Sequence, residues 1–116
     1  MKHIQDHNFH DGKILSVHIS DKDVEVLFEK WSCTQIKLYF EDYYRIIDNH
    51  SIGVMVGELL INSSKKAVDE VIKFIVDDGG SEEIALGLNS YAFTDLFGEL
   101  VFLEIVARDV RVEDHI

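Results

Sequence analysis

His3, His7 and His10 open the chain at spacings of four and three, and Asp11 follows at once. Neutral imidazoles and a carboxylate at helical spacing suit zinc or another transition metal, so His7, His10 and Asp11 form the candidate metal set. His3, His50 and His115 are further ligands if the fold brings them near. The same residues offer a second chemistry, an acid–base pair of His10 and Asp11. Adjacent residues on an extended chain point apart, however, so each would need another partner.

Other chemistry is sparse. Cys33, the single cysteine, rules out an internal disulfide and a thiolate metal cluster. Free cysteine is among the most buried residue types, and only Lys30 and Lys37 stand near enough in sequence to activate a thiolate, so burial is the expectation. The chain has no G-x-S-x-G elbow, Walker-type phosphate loop, H-E-x-x-H helix or dinucleotide fingerprint. No cofactor is therefore expected. Asp21-Lys22-Asp23 is not a calcium loop, which would want glycine at its sixth position, where this chain has Val26.

Phe9-His10-Asp11-Gly12-Lys13-Ile14 reads as a tight turn, with Asp11 accepting backbone N–H groups, Gly12 taking a positive φ and Phe9 packing beneath a sheet. Over Phe9 to Val17, with a compatible turn at Asp21-Lys22-Asp23, the chain resembles a group of small bacterial proteins. They open with a Phe-His-Asp-Gly or Leu-His-Asp turn, followed by an Ile/Leu-Ser-Val/Ile strand and a β-meander. Some proteins of that kind are immunity proteins of bacterial toxin systems. The resemblance implies a non-enzymatic binder and assigns no individual site residue.

A contact surface is the other candidate site. Trp31, Tyr39, Tyr43 and Tyr44 form the densest aromatic region with polar neighbours. Tyr39 alternates away from Ile36, Leu38 and Phe40, beside Glu41 and Asp42. Exposed aromatics next to carboxylates fit a protein-contact patch, with Trp31, Tyr39 and Tyr43 as anchors and Glu29, Glu41 and Asp42 as steering charges.

Charge narrows the partner. Eleven basic residues against 22 acidic ones leave a formal charge of −11, which repels nucleic acid and anionic membranes. A basic protein is favoured. The start of the chain is too polar for a secretory signal, and no apolar run is long enough to span a bilayer, so a cytoplasmic location is expected.

These residues must be positioned by one domain spanning residues 1–116, with residues 1–8 expected to be mobile. Ile14, Val17 and Ile19 lead into the charged turn at 21–23, and Val24, Val26 and Phe28 lead out, as a half-buried hairpin requires. Residues 35–40 alternate as another strand, whereas 41–48 fits a strand or a helical turn. Residues 52–61 alternate again, with Gly53 and Gly57 marking a bulge or a close approach. The one amphipathic helix covers 65–78: Ala67, Val68, Val71, Ile72, Ile75 and Val76 recur at three- and four-residue steps, Ser63 or Ser64 caps it, and Gly79-Gly80 ends it.

Ile84, Leu86 and Leu88 suggest a strand. Asn89-Ser90 then begins a loop anchored by Phe93, Leu96 and Phe97. Residues 99–108 are apolar on both faces, as in a central strand, and Val110 and Val112 shift the pattern by one. The sum is an α+β domain: a mainly antiparallel sheet of about six strands with the helix on one face and the other face partly wet or in contact. The functional expectation is a small acidic non-enzymatic protein-binding module, of the immunity-inhibitor type for a basic partner. A metal-dependent enzyme or metal-binding protein using the N-terminal His and Asp residues is the alternative, and pairing of two copies through an open sheet edge or exposed face is a third reading.

Overall fold

The computed structural model describes Ile4, residues 7–81, Glu83 and residues 87–115. One amphipathic helix packs against an antiparallel six-stranded sheet, an α+β architecture. The strands are β1 (Lys13–Ile19), β2 (Asp23–Glu29), β3 (Gln35–Asp48), β4 (Leu59–Ile61), β5 (Asn89–Thr94) and β6 (Val101–His115), with α1 (Lys65–Asp77) between β4 and β5. Their spatial order is β1-β2-β3-β6-β5-β4.

The long β3 and β6 strands give the sheet its shape. Residues 35–41 of β3 lie between β2 and the C-terminal half of β6, whereas residues 43–48 pair with the N-terminal half of β6, which continues to β5. Asp42 lies between the halves at φ 51°, a left-handed conformation that short polar side chains tolerate, and the register slips between Tyr43 and Arg45. These irregularities put Phe40, Tyr43 and Ile46 on the same core, although strict alternation would turn Tyr43 away from the other two. Residues 41–48 are thus strand, resolving the ambiguity left by their mixed composition.

The sheet bends over itself there and encloses the main core. Val24, Val26 and Phe28 of β2 and Ile36, Leu38 and Phe40 of β3 meet Tyr91 and Phe93 of β5 and Leu103, Ile105 and Ala107 of β6. Phe40 packs edge-on to Tyr91 at a ring separation of 5.0 Å. Residues 51–58 draw the two ends together. The Asp11 N–H donates to the Val56 carbonyl, Val56 N–H to Gly12, and Gly57 N–H to Thr94. Gly57 sits so close to the Asp95 carbonyl that a Cβ would collide with it, so the second of the two explanations for this glycine holds. Of the run 52–61, only 59–61 is a named strand; Ile52 and Met55 make isolated bridges to β1.

The helix covers the other side of the sheet. Ala67 and Val71 bury against Leu88 and Val106. Ser64 Oγ accepts the Ala67 N–H at 3.2 Å, and Gly79 and Gly80 donate to Val76 and Ile75 in a Schellman end. The sheet face away from the helix is therefore not wet or shared with a partner over most of its area: it lines the larger of two cores. Helix and sheet divide the apolar residues because β6 presents Leu103, Ile105 and Ala107 to one core and Val106 to the other.

Three local expectations are corrected. Asn89-Ser90 begins β5 instead of a loop, and Phe93 is fully buried within that strand. Leu96 and Phe97 lie outside the core on the β5–β6 connection, Phe97 with 84% of its surface exposed. Cys33 is exposed, at the tip of the β2–β3 hairpin with φ 69°. Of the expected strand at 84–88, residues 84–86 lie outside the described residues.

Candidate protein-contact surface

The candidate residues fall into three places. Trp31, 76% exposed, stands on the β2–β3 hairpin tip, where the Lys30 N–H donates to the Thr34 carbonyl and Cys33 N–H to Lys30. Tyr39 and Glu41 project from β3 on the outer face, opposite the core side chains Leu38 and Phe40. Tyr43 belongs to the inside: it packs against the main core, and its hydroxyl donates to the Ser20 carbonyl at 3.2 Å. Asp42 is exposed at the bend, 3.9 Å from the Arg108 guanidinium. Alternation places Tyr39 outward, but the left-handed residue at 42 reverses the side taken by Tyr43.

Strand register assembles the outer face from β2, β3 and β6. Glu25, Tyr39 and Arg111 stand abreast, with the Arg111 guanidinium 4.2 Å from the Tyr39 ring centre. Leu27, Lys37 and Glu113 form the next row. Lys37 reaches Glu25 at 3.0 Å, and the hydrogen bond and charge of that carboxylate raise the lysine pKa. Burial, then a hydrogen bond to Glu113, raises the Tyr39 phenol.

On the other flank of the Tyr39 row, register aligns Asp23, Glu41 and Asp109 side by side across three strands. Like charges directly opposite in a ladder destabilise it by roughly 0.2–1 kcal/mol per pair. Sequence reading found Glu41 and missed Asp23 and Asp109, because only the pairing of distant strands joins them. The imbalance is general. Among the described residues, six Lys and Arg side chains lie within 4.0 Å of carboxylates of this same chain.

The N-terminal residues form a smaller polar cleft of about 330 Å³ lined by His7, Asn8, Phe9, His10, Gly57, Glu58 and Leu59. His10 Nδ1 lies 3.1 Å from the Gly57 carbonyl, and its Nε2 3.5 Å from Asp11. The pair is held, but by neighbours that anchor the turn at 9–12, where Asp11 and not Gly12 takes the positive φ, at 64°. His7 and Ile4 are buried within the segment expected to be mobile, whose residues 1–3, 5 and 6, His3 among them, lie outside the described residues. Among the described residues no three His, Cys, Asp or Glu side chains group so as to hold a metal ion, and the side chain of His115 lies outside them.

A groove of about 750 Å³ runs between β3 and α1. Tyr44 and Arg45 form one wall, Glu70, Val71, Phe74 and Ile75 the other, and residues 78–80 the end. Arg45 donates to Glu70 at 2.6 Å across it, and this hydrogen bond holds the glutamate below the usual carboxylate range.

Comparison with family models, with curated proteins and with solved structures finds no match to this chain. Among the described residues, no helix is long and apolar enough to cross a membrane.

Proposed function

We propose that this protein is a binding module that recognises a basic protein through the acidic outer face of β2, β3 and β6. The observation that carries this reading is the row Asp23–Glu41–Asp109: three acidic residues aligned across neighbouring strands, flanked by the half-buried aromatic ring of Tyr39. Aligned surface charge steers encounter and selects partners of opposite sign, while an aromatic ring supplies contact area. Trp31 extends the face at the hairpin tip.

The resemblance of Phe9–Val17 to small bacterial β-meander proteins supports a finer version, in which the module is an immunity-type inhibitor acting in the cytoplasm on a basic toxin. Such an inhibitor needs no catalytic group of its own.

The test is affinity capture from cell extract at low and raised ionic strength, with the natural chain and a Glu41→Lys variant. The reading expects a basic protein retained at low salt, released as salt rises, and lost with Glu41→Lys. Recovery of nothing, or of acidic proteins alone, would refute it.

A further inference from the structure

The groove between β3 and α1 has features that the acidic face does not explain. Phe74 leaves 74% of its surface exposed in the last turn of the helix, at the margin of the apolar stripe formed by Ala67, Val71 and Ile75. Across the groove, the register slip in β3 makes Tyr44 the extra residue and turns its exposed ring outward. Bulges commonly re-aim a side chain at a binding site. The two rings face a space of ligand size with an apolar wall.

The far end of the groove is negative for two independent reasons. The helix C-terminus points its partial negative charge there, and Asp78, which lines the groove, adds a carboxylate where a helix prefers cations. At the opposite end of the helix, Lys65 and Lys66 occupy the first turn, which prefers acids. This helix carries its charges the wrong way round for its own stability and the right way to draw a cation toward residues 77–80. Beside the groove, β3 beyond Asp42 has β6 as its one ladder partner among the described residues, so an extended polypeptide meets a strand edge.

We infer that the groove takes an extended basic segment of the partner, with a large apolar side chain between Tyr44 and Phe74 and a Lys or Arg side chain at the pole formed by the helix end and Asp78. This rests on the reading of a basic partner and adds the place where that partner is anchored. The two surfaces are continuous: Arg108 lies 3.5 Å from the Tyr44 hydroxyl and 3.9 Å from Asp42, at the border of the carboxylate row.

The experiment titrates the full chain with three short labelled peptides: Lys alternating with Phe and Leu, Lys alternating with Ser, and Glu alternating with Phe and Leu. Fluorescence anisotropy gives affinity, and amide NMR shifts map the contact. The first peptide should bind and move resonances of residues 44–45 and 70–80. Phe74→Ala should weaken it by about 30-fold, as loss of an aromatic anchor does. Phe74 is exposed, so an unchanged melting temperature separates lost contact from lost fold. Asp78→Lys is the second variant and should weaken the same peptide.

Equal binding of the Lys–Ser peptide, unaffected by Phe74→Ala but lost with Glu41→Lys, would overturn the groove and leave the acidic face standing. Binding by neither basic peptide, or by the acidic one alone, would overturn both. A concentration-dependent dimer that Phe74→Ala abolishes would assign the groove to a second copy and overturn the inference.

Discussion

Arg45 and Glu70 tie β3 to the helix through one charge-assisted hydrogen bond, and its pH dependence has a definite sign. The guanidinium holds the Glu70 carboxyl below its ordinary value of 4.5, so the folded state favours the ionised form. That contribution is present above pH 4.5 and disappears as pH falls through the lowered folded value. Denaturant unfolding of Glu70→Gln and the natural chain should therefore converge at acid pH and separate above it. Lys37, Tyr39 and Tyr91 act at the other extreme. Glu25 raises the lysine above 10.5, and burial raises both phenols above 10.0, so the folded state retains protons that the unfolded chain releases. Their contribution is present below those values and lost as pH rises beyond them. Ultraviolet difference titration should show that Tyr39→Phe and Tyr91→Phe each remove a phenol ionising above 10.0, and loss of a phenol ionising below that value in either variant would contradict this account.

The helix is the element whose sequence and structure agree most closely. Its apolar steps, its Ser64 cap and its Gly79-Gly80 ending are local features, and each appears where spacing places it. Gly80 is required because a Cβ there would press on Ile75, both side chain and carbonyl. Gly80→Ala should destabilise the protein by about 1 kcal/mol or more by opening the Schellman end. Asp77→Lys should act in the opposite direction and stabilise by about 0.3–1 kcal/mol, since it replaces an acid at the negative helix end by a base. Chemical denaturation of the two variants checks both signs. If Asp77→Lys leaves stability unchanged, the reversed charges of this helix carry no cost.

At the scale of the whole molecule, the folded-over sheet makes one core depend on both of its halves. Phe93 of β5 contacts Phe9, Phe28 and Phe40, residues far from it in sequence. Phe93→Ala should cost about 3–5 kcal/mol, whereas Phe74→Ala, on the exposed margin of the helix, should stay within about 0.5 kcal/mol. Thermal or urea unfolding distinguishes them, and comparable losses would mean that the helix face is buried more deeply than its exposure indicates.

What was legible in the chain was everything that depends on near neighbours. The period-two runs of β2 and the first half of β3, the helix with its caps, the both-sided apolar character of β6 and the sign of the surface charge all follow from the order of residues. In β1, Val17 shares a core with Ile14 at odd spacing only because the register slips between Ile14 and Ser16, and Ile19, expected on the same side, is 51% exposed. Periodicity reports which side of an element is apolar, but not what covers it.

Tertiary structure alone decided the rest. The bend at Asp42 sent Tyr43 inward and Tyr44 outward, the folding of the sheet replaced a wet face with a second core, and strand pairing drew Asp23 and Asp109 beside Glu41. Each of these depends on contacts between residues distant in the chain, where a single-residue slip in register exchanges the inside for the outside.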